Sequence, residues 1–324
     1  MKINNQIFLT LIIMFSSNIL ILTSSNWSFS WMLMEISSIS FIPLMSLSKK
    51  MSYQMMKFFI IQSIASSLII LMLFMKQMFI KQTPLMIILL SSFMLKTGLF
   101  PMHFWMPQIF SFLSFMNCLM ISTIQKISPL ILISQTMKYE MINISLNMSL
   151  IIGSINLMKQ NKTKKMLAYI SLFSMPWMIS SIYMSKYLFF TFMSSYTFIN
   201  MILIKLLTNM NMKSINHLWA ETKLNKINIQ SSIISIMGLP PMMGFLPKWL
   251  VLQNLTMNNI ILALIMILTS AMISLNLFKM SMLNLFLTMP KKKKMNKSLS
   301  NYLMMTMMSI NFTILPYISM LYKN

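Results

Sequence analysis

The sequence predicts an all-α membrane protein that crosses the bilayer about eleven times. Hydrophobic residues make up 57% of the 324 residues and charged residues only 9%, whereas a soluble domain carries roughly 25% charged residues. Apolar stretches of about 20 residues, the length that spans a bilayer as a helix, follow one another almost end to end. They do not alternate with a period of two, which argues against a barrel.

Short polar connections separate the apolar stretches, and no soluble domain or low-complexity linker interrupts them. We therefore expect one transmembrane domain over residues 1–324. The eleven predicted spans are, in order, 3–23, 27–47, 57–75, 84–100, 117–135, 144–158, 166–183, 187–208, 229–252, 258–280 and 302–322.

The residue usage is typical of a mitochondrial gene. Methionine occurs 44 times, every basic residue is lysine and every acidic residue is glutamate. An extremely AT-rich gene in which ATA also specifies methionine, as in animal mitochondria, gives this usage. Methionine as flexible filler in apolar packing explains some of these residues but not the missing arginine.

The lysines indicate the orientation. Counting connections alternately places about sixteen lysines on one side and five on the other, with five more inside spans. By the positive-inside rule, the lysine-rich side and the amino terminus should face the matrix. We attribute the net charge of +23 to loops beside anionic lipid rather than to nucleic-acid binding. Lys291–Lys294 are either a cardiolipin contact or a plain topology signal.

The composition argues against a redox or metal site in this chain. Cys118 is the single cysteine, so a disulfide framework, a CxxC site and a thiolate-held iron–sulfur cluster are excluded. Two histidines far apart in the sequence and four glycines supply neither a metal cluster nor a phosphate-binding loop.

Four of the charged residues inside predicted spans are the candidate functional ones: Glu35, Lys96, Lys126 and Lys248. Each costs about 2.5–3.5 kcal/mol at the bilayer centre. Groups this costly face the bundle interior, pair with one another and mark ion pathways. Lysine suits proton transfer because its pKa shifts readily on burial. Snorkelling to the interface is the alternative, and it is the preferred interpretation for the other two intramembrane lysines, Lys205 and Lys279.

Helix-breaking residues adjoin two of these lysines. The fourth span continues as Lys96-Thr97-Gly98-Leu99-Phe100-Pro101, and the ninth contains Gly238-Leu239-Pro240-Pro241 followed by Pro247-Lys248. Because proline removes a backbone donor and clashes with the preceding turn, both helices should be interrupted at Pro101 and at Pro240 and Pro241. Broken helices within a membrane line a cavity or are buried in protein.

These same segments resemble the antiporter-like subunits of respiratory complex I, and among them the NADH dehydrogenase subunit 2 family. The resemblance covers nearly the whole chain and rests on four blocks in the family's order. They are Trp31-Met32-Leu33-Met34-Glu35, Met94-Leu95-Lys96-Thr97-Gly98 through His103-Phe104-Trp105, Gln125-Lys126-Ile127-Ser128-Pro129, and Gly238-Leu239-Pro240-Pro241 through Pro247-Lys248-Trp249. Lys164-Lys165-Met166-Leu167-Ala168-Tyr169 is a weaker match.

The resemblance implies a fold of two inverted five-helix repeats with two discontinuous helices. It also implies that Glu35 pairs with Lys96, that Lys126 is the central relay lysine and that Lys248 is the terminal lysine of the second half-channel. FMN, iron–sulfur clusters and ubiquinone are then expected on other subunits. The implied partners are other complex I subunits, including neighbouring antiporter-like ones, and phospholipids of the mitochondrial inner membrane.

The chain departs from the family pattern at three positions. Gln108 stands where a glutamate is usual, Ser174 where a histidine is common, and Lys164 where the family has an arginine. The first two put in doubt any mechanism that needs ionisable groups there, whereas Lys164 keeps the charge.

Two other functions remain open from the sequence. The chain could be a structural spacer of the membrane arm whose buried charges only pair. It could also be a stand-alone cation/proton antiporter of the Mrp type. The composition argues against that, as do the eleven predicted spans, which agree with the animal form of the complex I family that lacks three amino-terminal helices.

Overall fold

The computed structural model describes residues 5–46, 52–77, 82–209, 223–240 and 242–286, which form thirteen helices and no strand. The helices, in chain order, are α1 (Asn5–Thr23), α2 (Trp27–Ser46), α3 (Ser52–Gln77), α4 (Gln82–Thr97), α5 (Trp105–Phe112), α6 (Phe115–Ser122), α7 (Ile124–Thr136), α8 (Tyr139–Met158), α9 (Thr163–Met184), α10 (Lys186–Asn209), α11 (Lys223–Met237), α12 (Phe245–Asn258) and α13 (Ile260–Phe286).

The prediction of an all-α, polytopic membrane protein is confirmed. Seven stretches of the described chain are long and apolar enough to cross a membrane, and two shorter apolar stretches lie at Ile7–Thr23 and Leu85–Thr97. Together they coincide with nine of the eleven predicted spans. The ninth predicted span is divided between α11 and α12, and the last, 302–322, lies outside the described residues.

Serine hydroxyl groups are accommodated within the apolar helices by local hydrogen bonds. Ser37 donates to the Met34 carbonyl at 2.8 Å and Ser149 donates to the Leu146 carbonyl at 2.8 Å. This bond to the carbonyl three residues earlier satisfies the hydroxyl inside its own helix. A serine can therefore occur in a spanning helix without leaving an unpaired donor in lipid.

The described residues up to Ser149, together with Leu167–Ile179, form one compact unit. Within it α1 packs on α2, α2 on α3 and α3 on α4, and α7 contacts α1, α2 and α4. Edge-to-face aromatic contacts connect Phe41 to Phe58 (5.4 Å between centroids) and Phe58 to Trp105 (6.2 Å). These contacts fix the start of α5 against α2 and α3.

Leu150–Met166 and the described residues from Ser180 onward form a second compact unit. In this unit α10 packs against α11 and α12, and α13 contacts the same two helices. A Cβ atom on Gly244 would overlap the carbonyl oxygen of Ser235. Glycine therefore lets the start of α12 lie directly against the backbone of α11. A single domain over residues 1–324 stays a prediction.

The two predicted helix interruptions are confirmed. The first is the segment 98–104 between α4 and α5, which contains Pro101, and the second separates α11 from α12 and contains Pro240. Each begins at a glycine with positive φ, 72° at Gly98 and 78° at Gly238, a conformation that glycine adopts without steric cost. Pro241 lies outside the described residues.

A third interruption was not predicted. The fifth predicted span, 117–135, was expected to be continuous, but Thr123 separates α6 from α7 with φ −118° and ψ −74°. The Thr123 hydroxyl donates to the Leu119 carbonyl at 2.7 Å, and the Lys126 amide closes a short turn to the Thr123 carbonyl at 3.2 Å. This interruption thus occurs without a proline or a glycine.

Candidate functional site

Lys126 lies in the first turn of α7, three residues after the Thr123 interruption, and is 2% exposed. Its Nζ atom donates a hydrogen bond of 2.8 Å to the backbone carbonyl of Ser171 in α9. A buried ammonium group requires such an acceptor. The partner of this lysine is thus a main-chain oxygen rather than a carboxylate.

Lys96 occupies the last turn of α4 and is 6% exposed. Its Nζ atom has no hydrogen-bond partner among the described residues. Glu35 on α2 is half-buried and lies near enough for the two charges to interact. No salt bridge within 4.0 Å joins them in the described chain, so the Glu35–Lys96 pair stays a prediction.

Lys96 and Lys126 line the same cavity in the first unit. Its water-accessible volume is about 10 Å³, roughly the space that one water molecule requires. Polar and apolar side chains contribute in similar numbers. Besides the two lysines, the lining residues are Met34, Ser37, Ser38, Phe58, Gln62, Thr97, Trp105, Met106, Ile121, Gln125, Ser128 and Pro129.

Three side chains to which the sequence assigned no role make contacts around this cavity. Gln125 donates from Nε2 to the Ser37 carbonyl at 2.8 Å, which connects α7 to α2. Trp105 donates from Nε1 to the Leu95 carbonyl at 3.0 Å and so caps the interrupted end of α4. The Ser171 hydroxyl contacts the Met106 sulfur at 3.3 Å. Gln125 and Trp105 belong to blocks that resemble the family, whereas no feature of the sequence indicated Ser171.

The structure shows the surroundings of Gln108 and Ser174, two of the three positions that depart from the family pattern. Gln108 is exposed, and its carboxamide oxygen accepts a hydrogen bond from the amine of Lys57. Ser174 is buried, and its hydroxyl donates to the Ser171 carbonyl at 2.9 Å. Ser174 therefore shares its acceptor with Lys126.

Lys248 belongs to the second unit and follows the other interrupted helix. Its Nζ atom donates to the carbonyl oxygens of Ile236 at 2.7 Å and Met237 at 2.9 Å. These are the last two residues of α11. The carbonyl end of a helix carries a partial negative charge, so an ammonium group is stabilised there.

The arrangement suits proton transfer better than a reaction that makes or breaks covalent bonds in a substrate. Two lysines border one cavity of water size, and a third lysine is bonded to two carbonyl oxygens in the other unit. Among the described residues, no group of three or more His, Cys, Asp or Glu side chains is placed to hold a metal ion.

Residues 24–274 match the family described as NADH:quinone oxidoreductase/Mrp antiporter, transmembrane. The chain is similar to NADH-ubiquinone oxidoreductase chain 2 of Anopheles gambiae, with 35% identity over 271 residues that cover 80% of this chain and 79% of the relative. Its similarity to the Locusta migratoria protein of the same description is 34% over 266 residues, 78% of each chain.

Solved structures share the fold. A chain of respiratory complex I from Thermus thermophilus with bound aureothin aligns with a TM-score of 0.74 at 16% identity, covering 88% of this chain and 72% of that one. A chain of the Mrp complex from Dietzia aligns with a TM-score of 0.69 at 13% identity, covering 84% of this chain and 59% of that one.

Proposed function

Because the chain belongs to the NADH-ubiquinone oxidoreductase chain 2 family, we propose that it is a membrane-arm subunit of complex I that conducts protons. The observation that carries the proposal is the shared cavity of Lys96 and Lys126. Intramembrane ionisable residues that line a cavity are characteristic of proton pathways. The antiporter-like fold, shared with complex I and Mrp chains, supports the same function.

In this proposal Lys96 takes up a proton and passes it to Lys126 through a water molecule in the cavity. Lys96 is suited to release because its amine has no hydrogen-bond partner in the described chain. Lys126 is suited to receive because the Ser171 carbonyl binds an ammonium more strongly than a neutral amine. Glu35 adjusts the first step through its charge, and Lys248 is the third proton carrier.

We assign the oxidation of NADH and the reduction of ubiquinone, with the FMN and iron–sulfur clusters that they need, to other subunits. The composition supports this assignment because one cysteine cannot hold an iron–sulfur cluster. This chain would then respond to a conformational or electrostatic signal from its partners, which include neighbouring antiporter-like subunits.

We place the chain in the mitochondrial inner membrane with its lysine-rich loops and amino terminus toward the matrix, next to phospholipids. Lys162 and Lys186 are both exposed and fall on opposite sides in this topology. An amine reagent that does not cross membranes should label Lys162 only from the matrix side and Lys186 only from the other. The reverse pattern would contradict the orientation. The possible cardiolipin contact at Lys291–Lys294 lies outside the described residues.

The decisive test compares Lys126→Met with Lys205→Met. Lys205 also lies in a spanning helix, but its side chain is exposed, so it serves as the matched control. Each variant is studied in the assembled complex, identified as the large NADH-oxidising band on blue-native electrophoresis. We expect proton output per NADH to fall in the Lys126 variant and to be retained in the control. Equal output in both would refute the relay role.

The likeness to the Mrp complex favours one alternative, a cation/proton antiporter that works alone. Such a protein would exchange ions without NADH dehydrogenase partners and would be found only in a small band without NADH oxidation. The other alternative is a structural spacer of the membrane arm, in which the buried charges only pair and carry no protons. Neutralising Glu35 and Lys96 together would then preserve both assembly and proton output.

A further inference from the structure

The end of α11 leaves two backbone carbonyl groups without helical donors. In a continuous helix the amides of residues 240 and 241 would bond to the carbonyls of Ile236 and Met237. Residues 240 and 241 are both proline, which has no N–H to donate. The Gly238 amide keeps its helical bond to the Ile234 carbonyl at 3.2 Å, whereas the Leu239 amide turns back to that same carbonyl at 3.5 Å.

Lys248 supplies the two missing donors. Its Nζ atom bonds to Ile236 O and Met237 O, the two oxygens that the prolines leave free. Gly238 provides the space, because a Cβ atom there would lie 2.8 Å from Lys248 Cδ and 3.2 Å from Nζ. The negative end of the α11 dipole adds to the attraction.

The first interruption has a related sequence but a neutral cap. Both interruptions open with Gly-Leu, have a proline three and nine residues after the glycine, and differ at the tenth residue, which is Gln108 in the first and Lys248 in the second. Gln108 is exposed, and the indole of Trp105 bonds to the end of α4 instead. A lysine therefore donates to the carbonyl end of the helix at the second interruption, whereas an indole does so at the first.

We propose that the carbonyl oxygens of Ile236 and Met237 form a binding site for a monovalent ammonium-type cation, which Lys248 fills with its own side chain. Carbonyls freed at helix interruptions are common ligands for monovalent cations in membrane proteins. Once the side-chain amine is removed, the same oxygens bind a free ammonium ion. The site itself stands on these contacts, and its part in transport rests on the proposed function.

The test uses the assembled complex carrying Lys248→Ala, with ammonium chloride compared against tetramethylammonium chloride at equal concentration. Tetramethylammonium has the same charge but no N–H donor. We expect ammonium to raise the apparent melting temperature of the variant by roughly 2–4 °C over tetramethylammonium. Gln108→Ala, altered at the corresponding position of the first interruption, is the matched control and should melt alike in both salts.

A Lys248→Ala complex that melts at the same temperature in both salts overturns the proposal. If this variant does not assemble, Lys248→Ser replaces it, because serine keeps a polar group but leaves the position of the amine empty. Equal melting temperatures of the Lys248→Ser complex in the two salts would likewise overturn the proposal. Transport is measured separately as NADH-driven membrane potential, because ammonium dissipates a pH gradient. A melting shift without recovery of the potential supports the binding site and counts only against the proton role of Lys248.

Discussion

Gly238→Ala measures how strongly the protein depends on the space that holds Lys248. The backbone conformation at Gly238, φ 78°, costs an alanine about 1–2 kcal/mol. The new methyl group would also meet Lys248 Cδ at 2.8 Å and Nζ at 3.2 Å, so the lysine must withdraw. Losing the hydrogen bond to Ile236 O or to Met237 O adds about 1.5–3 kcal/mol, for a total of roughly 2.5–5 kcal/mol.

Gly98→Ala is the control for the backbone part of this effect. Gly98 has a similar φ of 72°, but a methyl group there meets the flexible end of Met106 at 2.8 Å and no lysine. We expect this variant to be destabilised by about 1–2 kcal/mol, because only the backbone conformation at Gly98 is unfavourable for alanine. The assay is the apparent melting temperature of each variant in the intact complex. Equal melting temperatures would refute the reasoning that Lys248 occupies the space above Gly238.

Three further substitutions test the cavity in the first unit. Trp105→Phe removes the indole bond to the Leu95 carbonyl and should destabilise the complex by about 1 kcal/mol, seen as a lower melting temperature; an unchanged value would contradict the capping role. Gln125→Met keeps the side-chain size but loses the bond to the Ser37 carbonyl, and should destabilise the complex by about 1 kcal/mol, seen as a lower melting temperature in a complex that still assembles; an unchanged value would contradict the role of this bond. Phe58→Ala removes a ring that is 1% exposed and should cost about 3–5 kcal/mol, so the complex band on blue-native electrophoresis should weaken; a band of normal intensity would contradict the packing argument.

The sequence was most informative where a single residue determines the local backbone. Pro101 and the Pro240-Pro241 pair predicted two interruptions, because proline cannot donate and its effect needs no distant partner. The interruption at Thr123 escaped prediction because threonine is compatible with a continuous helix. Its hydroxyl bond to the Leu119 carbonyl is visible only once the chain is folded.

The candidate site was predictable in its charged members but not in their partners. Lys96 and Lys126 stood out because charges are rare in apolar spans. The acceptor of Lys126 is the backbone carbonyl of Ser171, 45 residues away in sequence. Because every residue has a main-chain carbonyl oxygen, the residue type at position 171 does not indicate this bond. Glu35 was expected to pair with Lys96, and the absence of a salt bridge within 4.0 Å between these described residues leaves that expectation to experiment.

The bond from Lys126 to the Ser171 carbonyl can be compared directly with an electrical potential. Moving one elementary charge across the membrane takes about 2.3 kcal/mol per 100 mV, and a hydrogen bond to a charged group contributes about 1.5–3 kcal/mol. Breaking this one bond between α7 and α9 is therefore equivalent to roughly 65–130 mV acting on a single charge. A membrane potential of that size, acting on one charge that crosses the whole membrane, would supply the free energy needed to break this bond.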